Sequence, residues 1–343
     1  MSRHDQGRAY IGRRDWFGAT AAAAAATAGL LRPMGAARAQ DAPAAYPNRP
    51  VRIVQGYTPG GPTDLLARMV GDKLSAAWGQ PVVVESRPGA SATIAAAHVA
   101  RSAPDGYTLA VLAATHVQTP PLLPRLPYHA LNDFTPIAQI AGYPLILVVT
   151  PSLPVRTLAE FIAYAKARPG AATFATAGIG SSPHLSAAQL ALRADAEFTY
   201  VQYPGTVKGQ TAVMTGEVQA MFLNPLLAVP ILRDGRARAL AASGVRRWRD
   251  LPEVPTVAEQ GYPGYDAAVW YGVFGPAGLP PALVTKLEAD ILAAMRAPDL
   301  RARLETAGFY PLEVGAATFR AIVESELARW AEVIRRTGIR GAE

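Results

Sequence analysis

The chain has 343 residues, 50% hydrophobic and 17% charged, enough apolar content for large cores and room for two domains. It has no cysteine, which excludes disulfides, cysteine-ligated metals and thiol nucleophiles. Its net charge of +7 is inflated by the first 39 positions, where Arg3, Arg8, Arg13, Arg14, Arg32 and Arg38 outnumber Asp5 and Asp15, so the remainder is only mildly basic and does not suggest a nucleic-acid surface.

Residues 1–39 read as an export signal. Arg13-Arg14 is followed by Trp16-Phe17, a weakly apolar alanine-rich stretch runs from Gly18 to Leu31, and Ala37-Arg38-Ala39 has the form of a cleavage site before Gln40. The arginine pair with modest hydrophobicity resembles a twin-arginine signal, the alternative being an ordinary secretory signal that happens to hold two arginines. A Pro/Ala linker follows, and then strands and helices alternate. Val51–Gln55 is a predicted strand, Asp64–Trp78 a helix stopped by Gly79, Pro81–Glu85 a strand, Ala92–Ala103 a helix and Leu109–Ala113 a strand. The pattern then restarts. Leu145–Val149 is an apolar strand; Thr157–Ala167 is a helix whose Thr157 and Glu160 form a capping box; Thr173–Thr176 is a strand and Leu185–Arg193 a helix. Strands at Phe198–Tyr203, Ala220–Leu223 and Ala237–Ser243 surround a helix at Gln210–Gly216, Val269–Phe274 crosses back, and helices at Pro281–Arg296 and Ala317–Arg336 close the chain. Two successive units of this kind predict an α/β fold with helices over parallel sheets, in two lobes with a cleft between them.

Two glycine turns stand between a strand and a helix start: Tyr57-Thr58-Pro59-Gly60-Gly61-Pro62-Thr63-Asp64 and Ala177-Gly178-Ile179-Gly180-Ser181-Ser182-Pro183-His184. Such turns leave free N–H groups at the positive end of a helix dipole, which is an anion site. In open α/β sheets these turns lie at the carboxyl ends of strands, where ligands bind. Thr58, Gly60, Gly61 and Thr63 are therefore expected to hold one end of a small anion, and Gly180, Ser181, Ser182 and His184 the other. Asp64, third in its helix, either organises the loop or meets a donor group on the ligand. Neither turn contains Arg or Lys, so main chain and hydroxyls must do the binding; hydrogen bonds to a charged group contribute about 1.5–3 kcal/mol each, and a few suffice for micromolar affinity.

Catalytic templates are missing. There is no G-x-G-x-x-G, no phosphate-binding G-x-x-x-x-G-K, no G-x-S-x-G elbow and no paired-histidine metal motif. No catalytic residue, metal or cofactor is expected. The nearest enzyme reading, a secreted hydrolase using Ser181 and His184, competes with ordinary helix capping by the same residues.

Tyr46-Pro47-Asn48-Arg49-Pro50, Pro59-Gly60-Gly61-Pro62-Thr63-Asp64, Gly79-Gln80-Pro81-Val82-Val83-Val84-Glu85, Ala103-Pro104-Asp105-Gly106-Tyr107, Gly180-Ser181-Ser182-Pro183-His184-Leu185 and Leu251-Pro252-Glu253-Val254-Pro255-Thr256 together resemble the substrate-binding proteins of tripartite tricarboxylate transporters, the Bug receptors. The resemblance implies a periplasmic binding protein of type II, with no catalytic activity. Lobe I would comprise 46–142 and 268–343 and lobe II 143–267, joined by hinge strands. It implies a small organic carboxylate as ligand, an inner-membrane permease as partner, and a monomer in the periplasm. It also places Tyr57, Thr115, His116, Tyr203, Gly205 and Asn224 at the cleft, with Trp270 a weaker candidate. A receptor of this type could instead report its ligand to a membrane kinase. The chain departs from the family pattern at Ala113–Val117, at Leu223-Asn224 and at Thr206–Lys208, all of them cleft positions.

Overall fold

In the first strand only Arg52 is exposed, the burial expected of a strand well inside a sheet. The computed structural model describes residues 46–123 and 125–340, and the expected export segment, 1–39, lies outside them. In chain order the elements are β1 (Val51–Gln55), α1 (Pro62–Trp78), β2 (Val82–Ser86), α2 (Thr93–Ala100), β3 (Thr108–Ala113), the single turn α3 (Thr115–Gln118) and β4 (Phe134–Tyr143). Then follow β5 (Ile146–Val149), α4 (Leu158–Ala167), β6 (Thr173–Thr176), α5 (Ser182–Ala194), β7 (Thr199–Gln202), α6 (Thr206–Thr215), β8 (Ala220–Leu223), α7 (Pro225–Arg233) and β9 (Arg238–Ala242). The last are β10 (Val269–Pro276), α8 (Pro281–Arg296), α9 (Pro298–Thr306), β11 (Tyr310–Gly315) and α10 (Ala316–Thr337).

The strands form two sheets, one of six in the order β11-β4-β10-β3-β1-β2 and one of five in the order β7-β6-β8-β5-β9. The sheets are mixed rather than parallel throughout. β1 runs parallel to β2 and β3, and β6 parallel to β7 and β8. β10 is antiparallel to β3 and β4, β11 to β4, and β5 to β8 and β9. The reversed strands are β10 and β11 in the first sheet and β5 in the second; the chain passes out of the six-stranded sheet from β4 to β5 and back from β9 to β10.

Each sheet has its own aromatic packing. Phe134, Phe274, Phe319 and Trp270 pack edge-on or tilted beside the first, and Phe161, Phe174, Phe198 and Phe222 pack beside the second, with Phe174 and Phe222 stacked. All eight are almost fully buried, and each such side chain removed from water contributes roughly 1.5–3 kcal/mol. The expected capping box of α4 is present: Glu160 N–H donates to Thr157 Oγ at 3.1 Å, and the Glu160 carboxylate accepts from the Thr157 N–H. No helix among the described residues is long and apolar enough to cross a membrane.

Candidate functional site

The first glycine turn leaves β1 along a path set by Gln55, which sequence reasoning overlooked. Its fully buried carboxamide donates to the Tyr57 carbonyl at 2.8 Å and to Ser86 Oγ at 2.6 Å, and accepts from the Tyr57 N–H at 2.8 Å. Gly61 is the N-cap of α1 and Pro62 its first residue, with no side-chain cap. Gly61 N–H turns back to the Thr58 carbonyl, while the Thr63 and Asp64 amides have no acceptor within the described chain. Asp64 Oδ2 accepts from Gly60 N–H at 3.0 Å and from Arg68 Nε at 2.9 Å. The Arg68 guanidinium holds this carboxyl below the usual range, so it stays ionised and braces the turn from behind.

The second turn is built on the same plan. Ser181 is the N-cap of α5 without a side-chain cap; its hydroxyl accepts from Ala177 N–H at 3.3 Å instead. Gly180 N–H donates to His184 Nδ1 at 3.2 Å. His184 packs against the Tyr200 ring, 4.6 Å between centroids, and burial pushes its pKa down to about 4. The ring is therefore neutral with Nδ1 as acceptor, and it fixes the turn rather than activating a serine. Gly180 sits at φ +71, the left-handed region that favours glycine, and a Cβ there would also push aside the tip of the Leu122 side chain. The Ser182 and His184 amides have no acceptor among the described residues.

Both turns open on one cleft of about 960 Å³, at the carboxyl ends of β1, β3, β6, β7 and β8. Tyr57, Thr58, Gly61, Thr63 and Thr115 line it from the six-stranded side, and Gly180, Ser181, Ser182 and Asn224 from the five-stranded side. Asn224 caps α7 by accepting from Leu227 N–H at 3.0 Å. Tyr143 and Tyr271, hydroxyls 3.3 Å apart, also line the cleft, as do Thr119, Leu122, Gln202 and Thr206. Apart from Thr206, which stands in one of the departures from the family pattern, these were not singled out from sequence; the one signal for Tyr271 was the aromatic run of β10. Among the described lining residues none is Asp, Glu, Lys, Arg or His. Positive potential in the cleft thus comes from the N-termini of α1, α5 and α6, which begin at its wall.

Seven of the expected residues, the weaker candidate Trp270 included, are not on the cleft wall. Gly60, Asp64 and His184 stand behind the turns they brace. His116 points into the core, its Nε2 2.8 Å from the Ala130 carbonyl and its ring 4.7 Å from Phe134 and 5.1 Å from Phe274. Burial lowers its pKa to about 4. Tyr203 turns outward and donates to the Glu217 carboxylate at 2.7 Å, and Gly205 serves as N-cap of α6 while Thr206 takes the wall position. Trp270 also faces away, its indole N–H donating to Glu326 at 2.8 Å, with its neighbours Val269 and Tyr271 on the cleft. No group of three or more His, Asp or Glu among the described residues is placed to hold a metal.

The family model of the tripartite tricarboxylate transporter family receptor matches residues 66–339. Protein BugT of Bordetella pertussis is 34% identical over 315 residues, 91% of this chain and 94% of that one. Among solved structures, R. palustris Rpa4515 with adipate is 34% identical with a TM-score of 0.72, over 87% of this chain and all of the other. MatC from Rhodopseudomonas palustris with bound malate is 34% identical with a TM-score of 0.68, over 84% of this chain and all of the other.

Proposed function

The chain belongs to the tripartite tricarboxylate transporter receptor family, a family of solute-binding receptors and not of enzymes, and from that premise we propose that it captures a small dicarboxylate between the two glycine turns. Adipate and malate in the two R. palustris proteins support a ligand with a carboxylate at each end. The observation that carries the reading is the pair of uncapped helix starts, α1 and α5, opening on one cleft whose described lining has no charged side chain. One carboxylate would accept from the Thr63 and Asp64 amides with the Thr58 and Thr115 hydroxyls beside it. The other would accept from the Ser182 and His184 amides with the Ser181 hydroxyl beside them. Leu122, Leu123, Ile179 and Val269 would flank the spacer. The six-stranded part, 46–142 with 268–343, and the five-stranded part, 143–267, act as lobes that close on the ligand. The receptor works as a monomer in the periplasm after removal of 1–39, and hands its ligand to an inner-membrane permease.

The test is a thermal-shift and calorimetry panel of malate, adipate, citrate and matched diamides on the wild type and on Ser182→Asp. Aspartate at the first position of α5 suits the helix dipole, so the unliganded melting temperature should hold while the added charge repels the carboxylate. A binder at a hundred times its Kd stabilises by about 2.7 kcal/mol; the variant should show none of this. No response to any acid, or an undiminished response in Ser182→Asp, overturns the reading.

A further inference from the structure

A second cavity lies behind the crossing strands. It measures about 240 Å³, below the usual range for drug-sized ligands, so it suits a molecule of few heavy atoms. Its walls come from the end of β4, from Gly244–Arg246 after β9, from Asp266–Trp270 leading into β10, and from β11 and α10. Tyr143 and Val269 border both this cavity and the large cleft. It therefore sits at the two places where the chain passes between sheets, on the other side of the strands that floor the cleft.

Its polar groups are incompletely matched. Gln139 lines the cavity, is only 7% exposed, and its carboxamide makes no hydrogen bond among the described residues. Glu326 is satisfied: Trp270 Nε1 donates to it at 2.8 Å and Arg329 pairs with it at 2.8 Å. Setting that pair aside leaves one positive and one negative side chain. Arg246 has no carboxylate partner among the described residues and rests over the Tyr310 ring at 5.5 Å. Among the described residues Asp266 accepts only from Ala268 N–H, at 3.1 Å. The two line one small cavity yet form no ion pair with each other. Opposite charges on the wall of one half-open cavity, beside a Gln139 carboxamide without a hydrogen bond among the described residues, fit a ligand that carries both charges. Leu312, Ile322 and Val269 supply apolar wall.

We propose that this cavity is a second binding site, distinct from the carboxylate cleft, for a small amino-acid-like zwitterion. Its carboxylate meets Arg246, its ammonium meets Asp266, Gln139 completes the polar contacts, and a short aliphatic side chain lies against Leu312 and Ile322. The site does not depend on the cleft's ligand being a dicarboxylate. Calorimetry on the purified chain with L-valine, isobutylamine and isobutyrate tests it. Valine should bind, with the amine and the acid at least tenfold weaker because each leaves one charge unmatched. Arg246→Ala and Asp266→Asn, both on accessible loops, should each weaken valine at least tenfold, and Ser182→Asp should leave it unchanged. No valine binding at millimolar concentration overturns the proposal. So does valine binding that survives Arg246→Ala and Asp266→Asn but fails in Ser182→Asp, which would move the zwitterion into the cleft without touching the evidence for a dicarboxylate there.

Discussion

His116 and His184 are both held neutral by burial, with pKa values near 4 against an ordinary 6.5. The unfolded chain takes up these protons as the pH falls through about 6.5, and the folded chain takes them up only near 4. Over that window the unfolded state binds more protons, so stability is full above about pH 6.5 and is lost as the pH falls towards 4. His116→Phe keeps the aromatic packing with Phe134 and Phe274 and removes one of the two protons. The slope of stability against pH should flatten by about 1.4 kcal/mol per pH unit, read from urea unfolding across the window; an unchanged slope would mean that His116 is not buried as a neutral ring. His116 also marks a limit of sequence reading. Its position after β3 was legible, but which way a side chain points on a single helical turn depends on what packs below it, here Tyr128, Phe134 and Phe274 from distant parts of the chain. Asp64 was legible as a loop brace because its place in the first turn of α1 follows from Gly61 and Pro62 alone. The direction of Tyr203 depends on Glu217, beyond the next helix, and could not be read.

At the scale of the element, α1 offers a test that separates stability from binding. Gly61 has φ −79 and ψ 173, extended backbone that any residue adopts, and a Cβ there would meet nothing closer than the Thr58 carbonyl at 3.5 Å. Gly61→Ser introduces a hydroxyl that caps the first-turn amides, gaining a few tenths of a kcal/mol over glycine. The same hydroxyl occupies a donor assigned to the ligand, and a hydrogen bond to a charged group contributes about 1.5–3 kcal/mol. The melting temperature should therefore rise slightly while dicarboxylate affinity falls tenfold or more; undiminished affinity would show that the α1 amides do not bind ligand. Thr157→Ala is the control: loss of the α4 cap should cost about 1 kcal/mol of stability and leave affinity alone, because α4 does not reach the cleft. Helix starts such as these were legible because Pro, Gly, Ser and Thr set them locally. β4, α7 and β11 were not, and each contains proline. Pro136 interrupts the strand pattern of β4, yet it is tolerated because β11 covers β4 only from Ala138 to Gly142. Pro230 lies inside α7, and Pro311 sits beside the register break in β11.

At the scale of the whole molecule, contact across the cleft matters as much as its two walls. Gln118, at the end of α3 and 2% exposed, accepts from Ser182 Oγ at 3.1 Å, and Leu122 covers Gly180. These contacts join a segment between β3 and β4 to the start of α5, so the proposed opening of the lobes would break them. A bond made only in the narrow form favours closure, and the apparent affinity of a closing receptor scales with how readily the closed form is populated. Gln118→Ala removes that bond without touching an amide assigned to ligand. A neutral hydrogen bond is worth about 0.5–1.5 kcal/mol, so dicarboxylate affinity should fall roughly two- to tenfold, mainly through faster release. Stopped-flow displacement would measure the release rate and calorimetry the affinity. Slower release with tighter binding would mean the reverse, that Gln118 and Ser182 hold the empty cleft shut against its ligand.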